Sequence, residues 1–399
     1  MSIHILGLGN LAKLLAHSLR TNHPQLPITL LFHRESLVKE WDDAGREIEI
    51  VRGGVRSRRG GFGVEVLPTG SSSIGPGLRD FRKAADGMSE NRVGQIENLI
   101  VATKAGATVE AVRTVRARLG RESTVLFLQN GIGTIDQVAK HVFPNPASRP
   151  AFLTGIFNHG VYATSTFSSV HAGLVNAFVG PAFLGLGDLK PQDVSTTSTT
   201  PTSTTTTPTS APSSPPQEPP FLAQTLLSCH ELDTRLVPAH HLLTIQLRKL
   251  AVNATINPLT AIFNVTNGTL FASAEGRHLI DALLREFCDV IQCVVSTIIT
   301  SNAVDRDAED MRREFEFERV KKAVYEVGAL TAENSTSMRQ DVNAGRTTEI
   351  DVINGWLVRT GRAFGVDVSV NERVVRLVEE GRRVGLDGES VGRAFGDLC

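Results

Sequence analysis

One stretch of this sequence concentrates polar side chains where they are costly. Lys249-Leu-Ala-Val-Asn253-Ala-Thr-Ile-Asn257 sets an ammonium and two carboxamides at i, i+4 and i+8. On a helix the three project from one face, one turn apart. Their neighbours Leu250, Ala251, Val252, Ile256 and Leu259 are apolar. Burying a lysine and two amides among them is unfavourable unless something polar and anionic docks there. At the other end of the chain, Ile3-His-Ile-Leu-Gly7-Leu8-Gly9-Asn10-Leu11-Ala12 runs an apolar strand into a glycine turn. Together the two stretches suggest a dinucleotide at one end of a cleft and an acid-bearing substrate at the other.

The Gly7-x-Gly9-x-x-Ala12 spacing is the dinucleotide pattern. Gly7 permits the tight turn, Gly9 lets the backbone approach a pyrophosphate, and Ala12 keeps helix and strand close, so that the phosphates rest on the helix N-terminus. The next strand ends at Phe32-His33-Arg34, where an NAD site wants an acidic residue. Arg34 and His33 suit a 2′-phosphate instead, which favours NADP(H), although Glu35 follows directly. Lys104 closes a later strand and would point into the cleft, or be an ordinary solvated strand end. Asn130, followed by Gly131 and Gly133, offers an amide and bare backbone N–H groups to the nicotinamide side, or a plain Asn-Gly turn. Further along, Asn264-Val-Thr-Asn267-Gly268 has the residues of a helix C-terminus. Asn334 and Ser337 stand at i, i+3, and Glu349 follows two threonines as at a helix start. Cys229, His230, His240 and His241 fit no common metal spacing, so no metal is expected.

These residues need a scaffold. Apolar runs at Ile3–Leu6, Ile28–Phe32, Asn98–Thr103 and Thr124–Leu128 alternate with helical patterns at Asn10–Arg20, Thr108–Leu119 and from Gly131 to Val142. That rhythm predicts an α/β, Rossmann-like, doubly wound parallel sheet over 1–190. Residues 50–80 are Gly- and Arg-rich and read as a solvated excursion or small β-hairpin. Residues 151–187 read as short strands, with His171-Ala-Gly173 at a turn. From Ser195 to Pro220, 23 of 26 residues are Ser, Thr or Pro. Such a segment has little to bury against its ordering entropy, so 191–220 is expected to be a disordered linker or insertion. Residues 221–399 turn helical: Phe221–Cys229, Leu242–Phe263, Arg277–Thr300, Ala308–Leu330, Glu349–Gly361 and Asn371–Glu380, with a turn at Ser301–Ala303. This all-α domain would carry the substrate and the catalytic groups, with the ligand cleft between it and the sheet domain.

At 399 residues the chain has room for two domains, and 41% hydrophobic and 21% charged residues are ordinary for a globular protein. A net charge of −1 gives no reason to expect nucleic acid or an anionic membrane as partner. No apolar run reaches about 18 residues, so no membrane span is expected. A first strand at Ile3 leaves no room for a cleavable leader. The four cysteines lack a paired framework and read as reduced thiols, so a cytoplasmic protein is expected, a monomer or homodimer.

Taken together, three elements resemble ketopantoate reductase (2-dehydropantoate 2-reductase). They are Lys249-Leu-Ala-Val-Asn253-Ala-Thr-Ile-Asn257-Pro-Leu-Thr, Gln129-Asn-Gly-Ile-Gly-Thr134, and Ser335-Thr-Ser-Met-Arg-Gln-Asp341 followed by Thr348-Glu-Ile-Asp-Val-Ile-Asn-Gly355. The resemblance covers most of the chain outside 50–80 and 195–220. It implies that Lys249 is the catalytic lysine and general acid, and Glu349 the active-site glutamate. Asn253, Asn257, Asn267, Asn334 and Ser337 would contact substrate. Gly7 through Ala12, Arg34, Lys104 and Asn130 would hold the cofactor, with Asn130 reaching toward substrate. Leu247 stands where the family usually carries tryptophan. The implied reaction is NADPH-dependent reduction of 2-dehydropantoate to D-pantoate, a precursor of pantothenate and coenzyme A. Two other readings share the fold: a reductase of another 2-oxo acid, and a catalytically silent NADP-binding regulatory protein. The intact lysine, glutamate and asparagine set argues against the silent one.

Overall fold

The computed structural model describes residues 1–67, 94–173, 175–187, 189, 218–301 and 305–396. Residues 195–217 of the Ser/Thr/Pro run, 68–80 of the Gly/Arg-rich excursion and 302–303 of the expected turn lie outside them. The chain divides into two compact units. Among the described residues no helix is long and apolar enough to cross a membrane.

The first unit comprises 1–130, 134–184 and 219–246. In chain order it runs β1 (Ile3–Leu6), α1 (Asn10–Asn22), β2 (Ile28–Phe32), α2 (Ser36–Asp43), β3 (Ile48–Arg52), β4 (Val55–Arg59), β5 (Gly63–Val66), β6 (Asn98–Val101), α3 (Ala105–Thr114), β7 (Thr124–Phe127), α4 (Thr134–His141), β8 (Ala151–Phe157), β9 (Gly160–Ser165), β10 (Ser168–Gly173) and β11 (Ala177–Pro181). Then come α5 (Phe221–Leu227) and β12 (Thr234–Leu236). Eight strands form the main sheet in the order β12-β11-β8-β7-β6-β1-β2-β5. The six from β8 to β5 are parallel, and β1 and β6 are buried at every position, as expected of strands covered on both faces. The chain steps from β1 outward to β2 and β5, then returns to β6 on the other side of β1. Between β1 and β6 lies the switch point beside which such sheets bind ligands.

The expected doubly wound parallel sheet is present, with an antiparallel addition at one edge. There β11 runs antiparallel to β8, and β12 pairs parallel to β11. Since β12 and α5 belong to the sheet unit, the division placed at 190 and 221 by composition falls elsewhere in the structure. Leu222, Ala223, Leu226 and Leu232 fill the same core as Ile3, Ile5, Leu14 and Leu15. A second, four-stranded sheet, β4-β3-β10-β9, packs against α1. Its β3–β4 hairpin, turning at Gly53 and Gly54 with positive φ, is the small hairpin expected of the Arg-rich excursion. His171 lies within β10 at a bulge rather than in a turn.

The second unit holds 131–133, 185–218 and 247–399. Its described elements are helices: most of α6 (Ala239–Phe263), then α7 (Asn267–Ala272), α8 (Ala274–Ser301), α9 (Asp305–Glu314), α10 (Phe317–Leu330), α11 (Ser337–Asn343), α12 (Asn354–Phe364), α13 (Ser369–Glu379) and α14 (Gly388–Phe395). The central α8 packs against α7, α9, α10, α12 and α13 and buries Leu283, Leu284, Phe287 and Ile291. The single helix expected over Ala308–Leu330 is two. Phe315 is fully buried and Glu316 turns extended (ψ 139°), which ends α9 and starts α10.

Candidate active site

In the first unit the glycine turn is built by close approach. Gly7 has φ +90°, and a Cβ there would lie 2.9 Å from the Thr103 nitrogen and Cγ2. Only glycine lets the turn after β1 sit against the end of β6. Gly9 opens α1 in extended conformation and no side chain caps the helix, so its first N–H groups suit an anion. Ala12 is fully buried, as close packing of helix on sheet requires, and Leu8 and Leu11 rest partly buried on the same core. The side chain of Asn10 is engaged elsewhere. Its Nδ2 donates to the Val161 carbonyl at 3.4 Å and its Oδ1 accepts from Ser169 at 3.3 Å, so the side chain is committed to β9 and β10. The cradle at Gly7 and the uncapped helix start fit a dinucleotide pyrophosphate.

Around this turn stand the other cofactor candidates. Arg34 lies exposed just beyond β2 and pairs with Glu40 at 3.2 Å. Lys104, also exposed, is the residue before α3. Asn130 follows β7, in a loop tied to its neighbour by Gln129, whose Nε2 donates to the carbonyls of Val101 (3.0 Å) and Thr103 (3.1 Å). Gln129 was not singled out from the sequence, although it stands beside Asn130 in the quoted motif. The bare N–H groups expected after Asn130 are partly spent: Ile132 donates to the Val352 carbonyl at 2.9 Å.

In the second unit, α6 carries Lys249, Asn253 and Asn257 on one continuous helix. The amides are linked, Asn257 Nδ2 donating to Asn253 Oδ1 at 3.3 Å. Lys249 is half-buried, and desolvation pushes its pKa down to about 8 against the Glu349 carboxylate, which favours the ammonium. Asn264, at φ +54°, ends α6 in the left-handed region, while Asn267 opens α7 rather than closing α6. Asn267 is buried, with Nδ2 donating to Thr331 Oγ1 at 2.9 Å. Its backbone N–H reaches the Asn334 carbonyl at 3.3 Å. Asn334 and Ser337 are exposed on either side of Thr336.

Two threonines that sequence reading passed over hold this segment. Thr336 caps α11 by accepting the Arg339 N–H at 3.2 Å, and its hydroxyl lies 2.8 Å from that of buried Thr260, one turn beyond Asn257. Thr260 in turn donates to the Ile256 carbonyl at 2.8 Å. Thus α6 and the Asn334–Ser337 segment are joined by a buried hydroxyl pair. The cue in the sequence was Thr336 three residues before Arg339, a cap position; Thr260 carried no cue.

The chain matches the family description Ketopantoate reductase PanE/ApbA over residues 3–182, and its C-terminal counterpart over residues 241–382. It is 30% identical over 424 residues to the ketoisovalerate reductase of Beauveria bassiana, covering 98% of this chain and 85% of that protein. It is 28% identical over 389 residues to a probable 2-dehydropantoate 2-reductase of Schizosaccharomyces pombe, covering 97% of each. Among solved structures, D-mandelate dehydrogenase with NADH and anilino(oxo)acetate has a TM-score of 0.61 over 96% of this chain and 98% of that one, at 18% identity, which shows a shared fold.

Proposed function

The chain belongs to the ketopantoate reductase family of oxidoreductases acting on CH–OH groups, and on that premise we propose that it reduces 2-dehydropantoate to D-pantoate with NADPH, on the route to pantothenate and coenzyme A. The observation that carries this is the α6 face, a half-buried lysine under the influence of Glu349 with two linked amides one and two turns on.

The turn at Gly7 and the start of α1 at Gly9 would hold a reduced nicotinamide dinucleotide, which would supply the hydride for the C2 carbonyl carbon. As charge develops on the carbonyl oxygen, the Lys249 ammonium stabilises it and delivers the proton that completes the alcohol. A pKa near 8 suits this task. The lysine is mostly protonated at neutral pH yet gives up its proton far more readily than a solvated lysine. Glu349 keeps that proton on the nitrogen before reaction and can accept a substrate hydroxyl. Asn253, Asn257, Asn334 and Ser337 supply amide and hydroxyl groups for the substrate carboxylate and hydroxyl, while Asn267, buried and donating to Thr331, serves to hold the Asn334 segment rather than to touch substrate. Arg34, exposed at the end of β2, supports a 2′-phosphate and hence NADP. The free thiols of Cys229, Cys288 and Cys293 accord with the cytoplasm.

A second reading is favoured by the Beauveria bassiana relative, whose name specifies ketoisovalerate. That acid is also branched at C3 but lacks the hydroxymethyl group of 2-dehydropantoate. A site that hydrogen-bonds the hydroxyl discriminates strongly against the compound without it. Initial rates of NADPH oxidation with the two acids therefore separate the readings. A kcat/KM at least about a hundredfold higher for 2-dehydropantoate is expected; equal or reversed preference would move the assignment to the smaller acid.

A further inference from the structure

The proposed substrate helix contains a defect, and a buried side chain repairs it. Pro258 stands inside α6, directly after Asn257. Without an N–H, proline leaves the carbonyl four residues back, that of Ala254, without its helical donor. Ala254 is itself buried, so an unbonded carbonyl there is costly. The missing donor comes from α12. Asn354 Nδ2 reaches the Ala254 oxygen at 2.7 Å, and the same nitrogen donates to Asn371 Oδ1 at 2.9 Å. Asn371 Nδ2 donates to Glu286 Oε2 at 2.7 Å, and the backbone N–H groups of Val370 and Asn371 donate to the same carboxylate at 2.8 and 2.9 Å. Asn354 and Asn371 are at most 1% exposed, out of reach of bulk solvent.

We infer that Asn354 is a positioning residue: it closes the gap that Pro258 opens in α6 and so fixes the turn from Asn253 to Asn257. It acts through the main chain of the residue next to Asn253, anchored by Asn371 and Glu286 on α13 and α8. The inference rests on the proposed role of Asn253 and Asn257 in holding the 2-oxo acid. The proline matters because it makes the requirement specific. With an ordinary residue at 258, the backbone N–H would bond Ala254 and Asn354 would be dispensable for this purpose.

The test is a double-mutant cycle in the full-length enzyme, joining Asn354→Leu with Pro258→Ala. Asn354→Leu alone should raise KM for the 2-oxo acid about tenfold, leaving KM for NADPH unchanged. Adding Pro258→Ala should bring KM back to within about twofold of the Pro258→Ala single variant, because the new N–H takes the carbonyl. An unchanged KM in folded Asn354→Leu protein, or the same loss in both backgrounds, overturns the inference. Should Asn354→Leu fail to fold alone, thermal melting carries the cycle: Pro258→Ala restores a cooperative transition, and its failure to do so overturns the inference equally. The melting cycle requires no substrate, so a wild-type enzyme inactive on every 2-oxo acid would refute the proposed function and leave the coupling of 258 to 354 separately measured.

Discussion

Two helices carry a desolvated lysine, Lys13 in the first unit and Lys249 in the second, and the two differ in everything but their pKa. Lys13 on α1 is 2% exposed, and its Nζ donates to the main-chain carbonyls of Ser165, Thr166 and Ser168 at 3.1, 3.2 and 3.3 Å. Its three donors are consumed in fastening the β9–β10 hairpin to α1. Lys249 on α6 is half-buried and faces the influence of a carboxylate, with two amides along the same helix. Desolvation lowers both to about 8. A depressed lysine pKa therefore does not mark catalysis by itself. What separates the two is the surroundings: saturated carbonyls for Lys13, a carboxylate and polar, ligand-sized groups for Lys249.

The sharpest way to break this contrast is to remove each charge. Lys249→Ala should lower kcat about a thousandfold while the melting temperature changes little, since the desolvation cost of the ammonium and its attraction to Glu349 are lost together. Lys13→Met should do the opposite. Three carbonyls lose their donor, at a cost of about 2–4 kcal/mol in stability, while kcat of the folded protein changes little. A Lys13 variant that kept its stability and lost turnover would erase the distinction. The next largest effect belongs to the glycine turn. Gly7→Ala forces φ +90° on a side-chain-bearing residue and sets its Cβ 2.9 Å from Thr103. KM for NADPH should rise at least about tenfold, with KM for the 2-oxo acid unmoved. Smaller still is Arg34→Ala. The Arg34–Glu40 pair is exposed and contributes at most about 1 kcal/mol to stability, so melting should not change. The ratio of kcat/KM for NADPH over NADH should fall about tenfold, and an unchanged ratio would remove Arg34 from 2′-phosphate recognition.

The same contrast shows what could be read from the sequence. The strand, turn and helix from Ile3 to Asn22 are local: glycine spacing and a leucine stripe determine them, so they were legible. The Lys249–Asn257 face was legible for the same reason, as a 3.6-residue repeat. What escaped depends on contacts distant in the chain. Nothing in Thr234–Leu236 announces that it pairs beside β11, because that pairing spans the Ser/Thr/Pro run, whose length says nothing of register. Thr260 looks like any helical threonine until Thr336 is placed against it. The break at Phe315 interrupts a helical pattern whose periodicity on either side is intact, and the buried ring and the extended Glu316 that follow α9 carry no local signal. The side chain of Asn10 gave no cue either: its position in the motif is local, but its partners sit on strands about 150 residues further along.

The claim that matters most is that Lys249 gives the proton. The direct measurement is the pH profile of kcat for reduction of 2-dehydropantoate by NADPH, from pH 6 to 10. With Lys249 protonated below its pKa, turnover should be flat near neutrality. It should then fall tenfold per pH unit above about 8, as the ammonium is lost, and the reverse oxidation of D-pantoate should rise over the same range. A reduction rate that stays level through pH 10 would contradict Lys249 as the general acid.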